Sequence, residues 1–73
     1  MLPEVGKTYL MRHSRKGNAK VKILSICDEK VWVDVEIISG TLRGIGAGSV
    51  RQAGDAVRAR LQLCQFVEHD GVA

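Results

Sequence analysis

From Val31 to Ile38 the chain reads VWVDVEII, with Val31, Val33, Val35 and Ile37 on one side of the pattern and Trp32, Asp34, Glu36 and Ile38 on the other. Successive side chains of extended backbone point to opposite faces, so a period of two marks a half-buried strand. Valine and isoleucine strengthen the reading, because branching at Cβ crowds a helix and suits a pleated surface. The stretch predicts a central strand whose valine face lies against the core.

Weaker versions of the rhythm lie on either side. Over Thr8 to His13, Tyr9 and Met11 alternate with Thr8, Leu10 and Arg12. The following SRKGN reads as a tight turn with Arg15 and Lys16 at its tip, since Gly17 and Asn18 are residue types that tolerate positive φ. From Ala19 to Ile26, Val21 and Ile23 alternate with Lys20 and Lys22, which places the lysines on the wet face; CDEK then supplies another reversal. Ser39 to Asp55 breaks the rhythm with five glycines. Leu42 and Ile45 are spaced for a helical turn, but Gly44, Gly46 and Gly48 disfavour a long helix, so a loop with one short element is expected. In AVRARLQLCQF the alternation resumes, with Val57, Ala59, Leu61 and Leu63 inward and Arg58, Arg60 and Gln62 outward. A helix is the alternative there, because alanine, arginine, leucine and glutamine are also good helix formers.

Four or five short strands in 73 residues imply a mainly β fold. It is either a small, strongly bent antiparallel sheet or an SH3-like barrel, with a glycine-rich loop and a disordered C-terminal tail. One domain, residues 1–66, and a flexible tail, 67–73, account for the chain. The expected core is Val21, Ile23, Val33, Val35, Ile37, Val57, Leu61 and Leu63. It must be aliphatic, because Tyr9, Trp32 and Phe66 are the only aromatic residues, and the last two are themselves candidates for the interior. No apolar run approaches the ~18 residues of a membrane helix, and no signal-peptide pattern opens the chain, so a cytosolic protein is expected. In that setting Cys27 and Cys64 read as reduced thiols.

Charge is distributed unevenly. Lys7, Arg12, Arg15, Lys16, Lys20 and Lys22 form a block without an acid; Asp28, Glu29, Asp34 and Glu36 then outweigh Lys30, and Arg43, Arg51, Arg58 and Arg60 face only Asp55. The formal net charge of +3 therefore hides a basic face and an acidic edge, an asymmetry that steers partners.

Other chemistry is poorly supported. GIGAGS lacks the strand, helix and Gly-Lys-Ser/Thr context of a phosphate loop. His13, Cys27, Cys64 and His69 are too scattered for a zinc site, and His13 reads as a surface residue beside the basic turn. Ser14 beside His13 has no orienting third group, so neither an enzyme, a metal nor a cofactor is expected. The basic block has a bland reading, a solvated face kept charged for solubility. It also has two functional readings. Nucleic-acid binding would release counterions from phosphates but lacks an evident stacking platform. A protein with an acidic patch would meet bidentate arginines, with Ile45 or Val50 as apolar anchors. Charge and expected exposure give the partner-binding set Val5, Lys7, Arg12, His13, Arg15, Lys16, Arg43, Ile45, Val50 and Arg51.

Two stretches, GKTYLMRHSRKGNAKVKI and VDVEIISGTLRGIGAGSVRQAGDAVRARLQLCQF, carry a family resemblance between Gly6 and Phe66. The order Gly-Lys-Thr-Tyr, Arg-His-Ser-Arg-Lys-Gly, Ile-Ile-Ser-Gly-Thr, Ala-Gly-Asp and Cys-x-Phe is similar to small phage-encoded SH3-like proteins. Within that group it most resembles the kind of host RNA polymerase-binding transcription regulator carried by a lytic Xanthomonas phage. The resemblance implies a monomeric, non-enzymatic factor acting in the cytoplasm of the infected bacterium. Such a factor would bind RNA polymerase at the β′ N-terminal segment and β flap, inhibit initiation by weakening σ contacts and promote antitermination. Contact with nucleic acid in that complex is compatible with it. The alternative is a small basic nucleic-acid-binding β-barrel module.

Overall fold

The computed structural model describes residues 2–44 and 48–68. Its strands are β1 (Thr8–His13), β2 (Gly17–Ile26), β3 (Trp32–Gly40), β4 (Leu42–Arg43), β5 (Val50–Arg51), β6 (Ala56–Arg60) and β7 (Cys64–Glu68), with one 3₁₀ turn at Leu61–Leu63. Five of them form an antiparallel sheet in the order β6-β3-β2-β1-β7, and β4 and β5 pair as a separate two-stranded ribbon. No described helix is long and apolar enough to cross a membrane.

The sheet is open but strongly curled. Laid flat, its four inter-strand steps would separate β6 from β7 by ~19 Å. Yet Arg60 and Cys64, where those strands end and begin, are joined by the 3₁₀ turn alone, a path of only ~8 Å. Bulges on β2 and β3 allow the bend. The register slips between Ile23 and Ser25, leaving Leu24 unpaired, and again between Lys20 and Val21, leaving Ile38 unpaired on β3. Both bulged residues are exposed. The first slip also reverses the inward parity of β2, which is why Ile26 packs on the core behind Val21 and Ile23.

The core follows the alternation closely in β1, β2 and β3. Tyr9, Met11, Ala19, Val21, Ile23, Val33, Val35 and Ile37 are buried, joined by Leu42, Val57 and Ala59. Val31 departs from its expected inward position: it precedes β3, in the turn, and is exposed. Leu61 and Leu63 are only half-buried. The 3₁₀ turn replaces the continuous strand read through AVRARLQLCQF, and its tighter repeat ends the two-residue alternation at Arg60. The glycine-rich stretch holds two short paired strands rather than one element. Leu42 on the first of them is a core residue outside the expected set, as are Tyr9, Met11 and Ala19, and the buried Tyr9 ring makes the core less purely aliphatic than expected.

At the C-terminal end, β7 continues to Glu68, with Val67 opposite Leu10 and Glu68 opposite Tyr9. The pattern had ended the domain at Phe66; residues 69–73 of the expected tail lie outside the described residues. Phe66 is half-buried and meets Tyr9 edge to face, with ring centres 5.8 Å apart. Cys27 and Cys64 are both free and half-buried. Burial pushes the Cys64 thiol up to about 11, while backbone N–H groups, Trp32 first, draw the Cys27 thiol below its usual range.

A basic groove along the open seam

The turn joining β1 to β2 is built around a histidine. His13 is 7% exposed, which overturns its reading as a surface residue. It continues the inward parity of Tyr9 and Met11, and its Nδ1 accepts the backbone N–H groups of Arg15 and Lys16, each at 3.0 Å. With Nδ1 occupied as a double acceptor, the ring proton sits on Nε2. Burial, then the nearby Lys16 and Arg15 charges, hold the imidazole pKa below its ordinary value and favour the neutral ring. Gly17, at φ +101°, closes the turn in the left-handed region. Asn18, also read as a candidate, does not adopt positive φ.

Lys16 then ties this turn to β4. Its carbonyl accepts the Arg43 N–H at 2.9 Å, and its Nζ donates to the Arg43 carbonyl at 3.3 Å. Lys16 is consequently half-buried, where a hairpin tip had implied full exposure. Beside this junction runs an open groove of about 760 Å³. Its lining includes Arg15, Lys16 and Arg43 on one side and Arg58, Ala59 and Arg60 on the other, with no carboxylate among the described lining residues. A smaller hollow continues it between Lys16, Gly44 and Arg51 and the first residues of β6, Ala56 to Arg58.

Of the expected partner-binding residues, His13, Arg15, Lys16 and Arg43 line the groove and Arg51 lines the hollow that continues it. Val5 and Lys7 do not line the groove. They lie on the N-terminal arm, which is bonded to Ile23 on β2, and Lys7 is paired with Glu4 at 3.2 Å. Arg12 is exposed on β1 beside a neighbouring hollow with Gln62 and Gln65, and Val50 is exposed on the β4–β5 ribbon. Ile45 lies outside the described residues.

Arg58, Arg60 and Trp32 are groove residues that the expected set did not contain. The outward parity of AVRARL identified the two arginines as surface residues, but the β3–β6 register is what sets Arg60 opposite Trp32 and Arg58 opposite Asp34. Trp32 is 38% exposed and its ring lies 5.1 Å from the Arg60 guanidinium, within cation–π range. Arg58 donates to Asp34 at 2.9 Å, and Ser25 donates to the same carboxylate. The Arg58 guanidinium, before the Ser25 hydroxyl, holds the Asp34 pKa below the usual carboxylate range. The pair fixes the Arg58 side chain alongside the groove, and leaves Arg15, Arg43 and Arg60 as guanidiniums without an ion-pair partner among the described residues.

Fold and site together define a small open β-sheet with an arginine-rich seam, and comparison with known families, curated proteins and solved structures gives no match.

Proposed function

We propose that this chain is a phage-encoded, non-enzymatic transcription regulator. It docks through the basic groove on an acidic surface of bacterial host RNA polymerase, in the host cytoplasm. Bound as a monomer at the β′ N-terminal segment and β flap, it would inhibit initiation by disturbing σ contacts and promote antitermination. The partner and its site come from the resemblance between Gly6 and Phe66. The observation that carries the binding mode is the convergence of Arg15, Lys16, Arg43, Arg58 and Arg60 on one groove without a lining acid. Arginine suits such a role because its planar fork pairs carboxylates bidentately and dehydrates at lower cost than an ammonium.

The test is capture of polymerase from nuclease-treated bacterial lysate by immobilised protein, beside an Arg43→Glu/Arg60→Glu variant. Each lost interface pair is expected to cost about 1–5 kcal/mol, so the double variant should bind at least about 30-fold more weakly while keeping its circular dichroism spectrum. Failure of the unaltered protein to retain polymerase refutes the proposal.

One observation favours a second reading, direct binding of single-stranded nucleic acid. Trp32 lies exposed inside the groove and supplies the stacking surface that the sequence did not place. On that reading, the isolated protein binds an RNA or DNA oligonucleotide at near-physiological salt. Affinity falls steeply with salt, and Trp32→Ala costs about 1–3 kcal/mol of binding. Micromolar binding of that kind, without polymerase capture, would establish the second reading over the first.

A further inference from the structure

The long wall of the groove is one edge of a strand. Arg58, Ala59 and Arg60 are consecutive and all line it, and Ala56 to Arg58 line the hollow that continues it. Neighbouring residues of a strand point to opposite faces, so side chains of one face could not do this; the backbone edge of β6 must run along the seam.

The ladder shows which backbone groups face outward. Leu61 N–H bonds to the Val31 carbonyl and Ile37 N–H to the Asp55 carbonyl. Antiparallel pairing alternates bonded and non-bonded partners, so Val57 and Ala59 are the intervening residues that bond to β3, opposite Val35 and Val33. Arg58 and Arg60 therefore turn their N–H and C=O away from β3, into the groove. The Arg60 carbonyl takes the Cys64 thiol at 3.3 Å. Among the described residues, no other strand pairs with β6. The N–H and C=O of Arg58 and the N–H of Arg60 are thus an unused strand template beneath a row of cations.

We infer that the groove takes an extended polypeptide segment with alternating acidic and apolar residues, which adds to the free edge of β6 as a further strand. The inference rests on the protein-partner reading above and names the shape and chemistry of the segment recognised. Its main-chain bonds go to Arg58 and Arg60. Residues opposite these two share their outward face, where acids meet Arg60, Arg15 and Arg43, the guanidiniums that Asp34 does not hold. Residues of the other parity continue the apolar layer of Val57 and Ala59. Charge selects the segment and the edge fixes its register.

The probe is an acetylated, amidated peptide of alternating glutamate and valine, about seven residues long to match one strand. Amide hydrogen exchange is followed residue by residue. At saturating peptide, the Arg58 and Arg60 amides should slow at least about tenfold, while those of Val57 and Ala59, already bonded to β3, change little. Methylation of the alternate set of peptide nitrogens that faces β6 should weaken binding at least about tenfold, and methylation of the other set should weaken it less.

From the protein side, Arg60→Gln removes charge alone, whereas Arg60→Pro also removes one free-edge N–H. Proline is tolerated on an edge strand, and the Arg60 φ of −81° lies close to its required range. The proline variant should bind more weakly than the glutamine variant. Absence of peptide binding, unchanged Arg58 and Arg60 exchange, or equal binding of the two methylated peptides overturns strand addition. If polymerase is captured while these amides stay unprotected in both complexes, strand addition fails and the proposed function stands. Peptide binding with edge protection but without polymerase capture has the opposite meaning.

Discussion

Val35 offers a direct test of the face assignment that organises the sheet. It is fully buried, between Ile23 on β2 and Val57 on β6 in the same cross-strand row. Val35→Ala removes two methyl groups, about 1.6 kcal/mol of transfer free energy at 0.8 per carbon. A cavity term brings the expected cost to about 2–3 kcal/mol, because neighbours on paired strands relax only in part. For a domain of this size each kcal/mol lowers the midpoint by ~4–8 °C, so the fall should be about 10–20 °C. Val35→Asp places a carboxylate among aliphatic side chains with no cation in its row, a cost of several kcal/mol against a total stability of about 4–11 kcal/mol for 73 residues. It should unfold the chain. Ile38, on the same strand but 42% exposed at a bulge, is the control: Ile38→Asp should change stability by less than about 1 kcal/mol. Thermal melts followed by circular dichroism decide the matter. A cooperatively folded Val35→Asp protein, or an unfolded Ile38→Asp protein, would refute the assigned faces.

His13 predicts acid sensitivity. Its folded pKa lies below the ordinary 6.5, so the unfolded chain binds more protons; the stabilisation is complete above pH ~6.5 and is lost as pH falls through the folded value, with a slope of at most about 1.4 kcal/mol per pH unit. Urea titrations across this window should show that slope, and His13→Gln, which keeps an acceptor but no titrating ring, should flatten it; a persistent slope in the variant excludes His13 as the cause. Lys30, at φ +59° in the β2–β3 turn, occupies a region that disfavours a side chain, so Lys30→Gly should raise stability by about 0.5–1 kcal/mol and Lys30→Val should lower it. An unchanged urea midpoint for the glycine variant would show that no backbone strain resides there.

How far the sequence could be read depended on whether a property was local. The alternation in β2 and β3 is local and gave Val21, Ile23, Val33, Val35 and Ile37 their faces, whereas in β1 it set Tyr9 and Met11 apart from their neighbours without placing them in the core. Where one added residue shifts the phase, local reading stops: the Leu24 bulge brings Ile26 inward, and the 3₁₀ turn withdraws Leu61 and Leu63 from a strand they would otherwise continue. His13 followed the parity of its strand but was judged by its polarity and charged neighbours. Its burial depends on two backbone donors that only the folded turn supplies. The groove was less legible still. The basic block around Arg15 and Lys16 was visible, but Arg58, Arg60 and Trp32 reach it through pairing between β3 and β6, which no composition or spacing encodes.

The seam and its charges explain each other. An open sheet edge is a hazard, since unpaired backbone groups invite a second chain, and charged side chains on the edge are one way to prevent it. Here the guard is made of like charges on both lips: Arg58 and Arg60 on β6 face Arg15, Lys16 and Arg43 across the groove. Drawing these lips together to close a barrel would place cations side by side, which opposes pairing. The same repulsion disfavours edge-to-edge pairing of two copies along this seam, because each would bring its own arginines. A strand carrying carboxylates meets Arg15, Lys16, Arg43 and Arg60 with the opposite sign, while Arg58 stays with Asp34. Solubility and recognition therefore need not be rival accounts of the basic block. Charges that keep the edge from pairing with itself are the ones that admit an acidic segment, and the selectivity follows from the edge remaining unpaired until that segment arrives.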